Sequence, residues 1–213
     1  MKNIFLIITA IVCIGYSSVA QTSDNDSREK VQYGLKVGFN YANVYDSEGE
    51  EFKTYGRVGF AGGLFMSIPI NKYIGLQPEI LFSQKGFQGL GKILGTKYEF
   101  SRTTNYMDIP LLVALKPIRF VTILIGPHYS YLLSQKDVFQ NDAKTVVVQE
   151  QEFQKDNIRN NLFGLTIGTD INMKHFVLSA RAAYDLISNK GDGTSTAPRY
   201  KNAWYQFTVG YKF

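Results

Sequence analysis

The chain has 213 residues, 45% of them apolar and 14% aromatic, with 19 Gly, 6 Pro and one Cys, which suits one domain. A formal charge of +5, from 23 basic and 18 acidic residues, is too small and too dispersed for a nucleic-acid surface. The lone Cys13 excludes a disulfide framework and every site that needs several thiolates.

Met1, Lys2 and Asn3 give a short positive start, Ile4 to Tyr16 an apolar run, and Ser18-Val19-Ala20 a small-x-small end. This pattern predicts a cleaved secretory signal peptide over residues 1–20 and a domain over 21–213. The run is shorter than the ~20 residues of a helical span. No small residue directly precedes Cys13, which argues against a lipoprotein anchor. Further on, the longest apolar candidate, Ile109 to Ile125, is broken by Pro110, Lys116, Pro117 and Arg119, so no helical span is expected.

What remains is alternation with period two, which sends successive side chains to opposite faces of a sheet. The first strand sets Tyr33, Leu35, Val37, Phe39 and Tyr41 against Gly34, Lys36, Gly38 and Asn40. The second sets Phe60, Leu64, Met66 and Ile68 against Ala61, Gly63, Phe65 and Ser67, and the third Ile74, Leu76, Pro78, Ile80 and Phe82 against Gln77, Glu79, Ser83 and Lys85. In the fourth, Met107, Ile109, Leu111, Val113 and Leu115 oppose Tyr106, Asp108, Pro110 and Ala114; in the fifth, Ile123, Ile125, Pro127, Tyr129 and Tyr131 oppose Thr122, Gly126, His128 and Ser130. The sixth, seventh and eighth run Phe163 to Ile171, Leu178 to Leu186 and Ala203 to Phe213. Their second faces carry Thr166 and Asp170, then Ser179, Arg181 and Asp185, then Trp204, Gln206, Thr208 and Lys212.

Connections alternate between short turns and long links at about residues 44–57, 86–101, 134–161 and 187–202, with Lys116 to Arg119 as one short turn. Eight antiparallel strands joined this way describe an all-β, up-and-down barrel. The apolar face carries no Lys, Arg, Asp or Glu in any strand, whereas the other gathers Lys36, Lys85, Arg181 and Lys212 with Glu79, Asp108, Asp170 and Asp185. Four positive and four negative charges on one face predict a crowded, ion-paired lumen, with the apolar face toward lipid. A Lys or Arg at mid-bilayer there would cost roughly 2–4 kcal/mol. Aromatics at the stripe ends, among them Tyr33, Tyr41, Phe82, Tyr129, Tyr131, Phe176, Tyr184 and Tyr211, are expected as interfacial girdles. Pro78, Pro110 and Pro127 fall inside strands and remove ladder donors, which predicts bulges near them.

Gly34-Leu35-Lys36-Val37-Gly38, Leu76-Gln77-Pro78-Glu79, Asp108-Ile109-Pro110, Gly126-Pro127, Arg181-Ala182-Ala183-Tyr184 and the terminal Gly210-Tyr211-Lys212-Phe213 form an ordered set. In these the chain resembles the PorT-like outer-membrane β-barrel family of Bacteroidota, related in shape to OmpX-type barrels. The resemblance covers nearly all of 21–213 and implies an outer-membrane location and no catalytic residues. Phe207, Val209, Tyr211 and Phe213 look like the terminal signal read by the barrel-assembly machinery.

Catalytic and metal chemistry find little support. His128, Ser130 and Asp108 share one face and could form a nucleophile triad, but that face is the expected lumen, out of reach of a lipid substrate. Asp46, Glu48, Glu50 and Glu51 lack the order of an EF-hand loop, and Gly191-Asp192-Gly193-Thr194 lacks the Lys-Ser/Thr of a phosphate loop. The expected molecule is a monomeric, non-enzymatic transmembrane barrel with both termini periplasmic, no cofactor or metal, and lipid and the assembly machinery as partners. Arg181 is expected at the centre of its ion pairs, with Glu79, Asp108 and Asp185 as partners. The working surface is expected in the long outer loops or in basic turns around Lys72, Lys116, Arg119 and Lys174. A soluble lipocalin-like lipid carrier and an outer-membrane lipid hydrolase are the alternatives.

Overall fold

A computed structural model describes residues 27–48, 53–93, 96–141, 146–151, 159–189 and 199–213. The expected leader, Glu50 and Glu51 of the acidic cluster, and Gly191 to Thr194 lie outside them. Among the described residues the period-two segments form nine strands: β1 Gln32–Glu48, β2 Lys53–Pro69, β3 Ile74–Ile93, β4 Thr96–Ile118, β5 Val121–Asn141, β6 Val146–Gln151, β7 Asn161–Asn172, β8 Phe176–Asp185 and β9 Arg199–Lys212. All pairings are antiparallel, and β1, β2, β3, β4, β5, β7, β8 and β9 pair in a ring closed between β1 and β9. Full closure leaves this eight-stranded barrel without a sheet edge.

The long connections differ from the sequence expectation. β3, β4 and β5 continue well past their apolar stripes, and Val146–Gln151 adds a ninth strand, β6, against Gln135 to Gln140 of β5. Much of what the alternation leaves as loop at 86–101 and 134–161 is therefore sheet, rising from one side of the barrel beside Lys53 to Gly56 of β2. The turn expected at Lys116 to Arg119 also changes. β4 runs to Ile118, and Lys116 is buried on the inner face, donating to Ser67 Oγ at 3.2 Å and to the Arg28 carbonyl at 3.3 Å.

Pro78, Pro110 and Pro127 do not create bulges. The β2–β3 ladder skips Met66 and Ser67 opposite Gln77 and Pro78, the β3–β4 ladder skips the pairs around Pro110, and the β4–β5 ladder those around Pro127. Each ladder then resumes in the same register, so each missing N–H costs bonding toward the preceding strand only, and the other edge stays paired. The register shifts fall elsewhere, between Tyr45 and Glu48, Gly56 and Ala61, Asn105 and Tyr106, and Leu115 and Ile118.

Burial is inverted relative to a water-soluble protein. Among the described residues 26 buried side chains are polar or charged and 16 are apolar, while Leu35, Val37, Phe39, Leu64, Ile125, Ile167, Phe207 and Val209 are each about half exposed on the outer face. Every barrel strand presents five alternate uncharged positions there, over nine residues, as in Tyr33 to Tyr41, Ile74 to Phe82 and Phe163 to Ile171. That is the length a tilted strand needs to cross a bilayer, about 9–11 residues. Beyond the band, at the end away from the short turns, the outward face turns polar at Gln84, Ser101, Thr103, Asn105 and Ser134. Gln84, Asn105 and Ser134 bond one another across three strands at 3.0 and 2.9 Å.

Candidate functional site: the charged lumen

Alternation places the long polar side chains inward, and glycines opposite them provide room. A Cβ at Gly168 would lie 2.5 Å from Arg181 Cγ, and one at Gly164 would lie 2.4 Å from His128 Cε1. Both glycines face those residues across neighbouring strands, in the register pairs Gly168 with Arg181 and His128 with Gly164. The interior divides into levels along the barrel axis.

The central level is a cluster of two cations and two carboxylates. Arg181 of β8 reaches across to Glu79 of β3 with a fork of two bonds, Nη1 to Oε2 at 2.5 Å and Nη2 to Oε1 at 2.9 Å, and its Nη2 lies 3.4 Å from Asp170 Oδ1. Lys36 Nζ shares Glu79 Oε1 at 2.9 Å, and Gln77 Nε2 donates to both Glu79 and Asp170. Glu79 is 2% exposed and Arg181 4%. Such charges stay buried only when paired and further hydrogen-bonded, and Gln77 supplies the extra donors.

Asp108 and Asp185, expected beside Arg181, sit elsewhere. Asp185 lies four residues along β8, about 13 Å at strand rise, and accepts from His128 Nε2 at 3.1 Å and Asn202 Nδ2 at 2.6 Å. Asp108 accepts from Lys85 Nζ at 3.0 Å and Ser130 Oγ at 2.5 Å. The β7–β8 register, which sets Gly168 against Arg181 and Asp170 against Ser179, brings Asp170 to Arg181 instead. Lys212 stands at the short-turn mouth, bonding the Asn172 side chain at 3.2 Å.

A second level, farther from the short turns, divides the conceivable triad. His128 uses Nδ1 on Thr166 Oγ1 at 3.0 Å and Nε2 on Asp185, while Ser130 is held by Asp108 and lies 3.3 Å from Lys85 Nζ. The base and the hydroxyl therefore belong to different networks. Trp204 packs between them, its ring 5.0 Å from the His128 ring and 3.4 Å from Lys85 Nζ, a cation–π contact in a dry setting.

A third level lies outside the lipid-length band, where Arg102 makes a bidentate pair with Asp137 at 2.8 and 2.7 Å and donates to the Tyr200 hydroxyl at 3.3 Å. Burial works against the charge on Arg102, but Tyr200 and Asp137 outweigh it and hold the guanidinium more firmly protonated than usual. Phe87, Val44 and Tyr200 pack over this pair. The sequence reading missed Arg102 because it begins the fourth strand at the apolar stripe, near Tyr106, and Asp137 because a bulge at Leu133 changes the phase of β5. Ser130 and Leu132 point inward before it, and Gln135 and Asp137 after it. The continuing alternation of Arg102, Thr104 and Tyr106 was the available signal.

Among the described residues no group of three or more His, Cys, Asp or Glu side chains could hold a metal ion. The residues of the expected assembly signal lie outward at the end of the chain. Phe207 packs on Phe39 with ring centroids 5.6 Å apart, Val209 is half exposed, and Phe213 packs on Tyr33 and Tyr211 at 5.7 and 5.6 Å.

No curated protein matches the chain. Among solved structures it is similar to Ail, the attachment invasion locus protein of Yersinia pestis, in complex with the heparin analogue sucrose octasulfate: 12% identity, TM-score 0.50, covering 86% of this chain and 99% of that one. Two further similar structures are Neisserial surface protein A, at 13% identity and TM-score 0.46 with coverage of 87% and 100%, and OprG from Pseudomonas aeruginosa, at 15% and 0.43 with coverage of 89% and 99%. An antiparallel ring that buries its charges and exposes a bilayer-length apolar band has the architecture of an outer-membrane barrel. The family model of the outer membrane protein beta-barrel domain matches residues 19–191, and the chain belongs to that family.

Proposed function

We propose that this outer-membrane barrel acts through its surface, with the sheet beyond the lipid band as the site that meets extracellular or envelope components. The observation that carries this reading is the rise of β3, β4, β5 and β6 past the apolar band. Ion pairs fill the lumen beneath it, which supports a structural plug instead of a conduit. The same geometry argues against the two alternatives. A lipid carrier needs an apolar cavity, and a lipid hydrolase needs its serine and histidine joined and reachable, whereas Ser130 and His128 are buried in separate networks.

On this reading the barrel is a non-enzymatic monomer. The leader is removed on export, the short turns and both termini face the periplasm, and Phe207 to Phe213 serve assembly. The residue blocks in which the chain resembles PorT-like barrels support a place in that branch.

Photocrosslinking in intact cells tests the surface. A photoreactive residue at Gln88, Ser134 or Lys136 is expected to capture a partner, and one at Asn71 or Lys174 to capture none. Capture only from Asn71 or Lys174 would overturn the assignment. Orientation is read separately: Ser134→Cys should react with an impermeant maleimide in intact cells and Asn71→Cys should not.

A further inference from the structure

The short-turn end carries a feature that neither the lumen nor the rising sheet explains. Among the described residues three turns close it, at 70–73 between β2 and β3, 119–120 between β4 and β5, and 173–175 between β7 and β8. Each turn holds one Lys or Arg outside the lumen, Lys72, Arg119 and Lys174, and none holds a carboxylate. Exposed apolar side chains flank each cation: Ile70 and Tyr73, Ile118 and Phe120, Met173 and Phe176.

Each turn is fixed to the end of the strand beside it. The Lys116 amide donates to the Tyr73 carbonyl at 2.7 Å, the Asn172 amide to the Phe120 carbonyl at 2.7 Å, and the Lys212 amide to the His175 carbonyl at 2.7 Å. Within the first turn, Asn71 Oδ1 accepts from the amides of Tyr73 and Ile74 at 2.8 and 2.9 Å. Three cations thus stand on turns anchored to the strand ends, each at the boundary between the apolar band and water.

We propose that this rim binds the phosphates of anionic phospholipids, with the flanking apolar side chains set among the acyl chains. Basic residues beside a bilayer attract anionic headgroups, and amphipathic rings favour the interface. The paired chemistry selects an amphiphile: a soluble anion would leave the apolar neighbours unused, and an acidic protein would have to enter the lipid boundary to meet them. Which leaflet is engaged rests on the orientation proposed above; lipid binding by the turns does not.

The test uses the full chain refolded into nanodiscs of equal phosphatidylglycerol and phosphatidylethanolamine, with native mass spectrometry of the lipids it retains. Several-fold enrichment of phosphatidylglycerol is expected, weakening as salt rises. The triple variant Lys72→Gln, Arg119→Gln, Lys174→Gln should return to the bulk ratio while keeping the gel shift of a folded barrel. The charge-conserving set Lys72→Arg, Arg119→Lys, Lys174→Arg should keep the enrichment and controls for turn damage. Enrichment that survives the triple Gln variant, or that is lost instead in Lys136→Gln with Lys201→Gln at the other end, overturns the proposal. So does its removal by inorganic phosphate at an ionic strength where chloride leaves it intact, which would indicate a free-anion site. Co-isolation of an acidic protein, lost in the triple variant and without lipid enrichment, would likewise replace lipid by a protein partner. Maleimide labelling fixes the orientation independently, so an inverted barrel with lipid enrichment would overturn the topology alone.

Discussion

Arg181 holds together the most heavily charged part of the lumen, because its fork joins β8 to β3 across the barrel while Asp170 of β7 and Lys36 of β1 complete the cluster. Removing one partner of such a group leaves the others buried without full compensation, at about 3–5 kcal/mol. Arg181→Ala should therefore lower the stability measured by denaturant titration in detergent by that amount. Arg181→Lys should recover only part, since a point charge cannot reproduce two parallel bonds to Glu79. Gly168 belongs to the same argument: a side chain there would occupy the space of Arg181 Cγ and the Ala180 carbonyl. Gly168→Val should abolish the heat-modifiable folded band, a larger effect than Arg181→Ala, because it obstructs strand pairing as well as the ion pairs.

At the scale of elements, Arg102 of β4 and Asp137 of β5 tie the extension of β3, β4, β5 and β6 together, and the bond from Arg102 to the Tyr200 hydroxyl links it to β9. Asp137→Ala should loosen this sheet and leave the barrel intact. Trypsin cleavage at Arg102 and Lys136 should speed up in folded protein, while the denaturant midpoint moves less than for Arg181→Ala. Equal loss of both would show the extension to be one cooperative unit with the barrel. This part of the fold is also where the sequence was hardest to read. The eight barrel strands were legible because lipid on one face and packed charge on the other impose strict alternation, as in Lys36 against Val37 or Asp108 against Ile109. Beyond the lipid both faces are polar, so Gln84, Asn105 and Ser134 give no contrast, and the bulge at Leu133 inverts the phase. The inward set of charges was legible for the same reason, whereas their pairing depended on register, which alternation within one strand does not encode.

For the whole molecule, the decisive property is which face meets lipid, and the chain carries one tryptophan with which to ask. Trp204 and Phe207 lie three residues apart on β9 and point to opposite faces: Trp204 is 5% exposed inside, beneath Lys85 and His128, and Phe207 is 45% exposed outside against Phe39. Brominated acyl chains quench indole emission by close approach, so in bilayers of brominated phosphatidylcholine the wild-type emission should fall only slightly. Phe207→Trp in a Trp204→Phe background should be quenched strongly, because its ring replaces one already in the apolar band. Acrylamide in the aqueous phase should affect neither, since the lumen is packed and the band is covered by lipid. Strong bromolipid quenching of Trp204 with little at position 207 would turn the barrel inside out, leaving the apolar stripes to line a cavity and the ion pairs to face outward. Buried pairing of Arg181 with Glu79 opposes that inversion, because exposed pairs contribute only about 0–1 kcal/mol and would leave the large effect expected for Arg181→Ala without a cause.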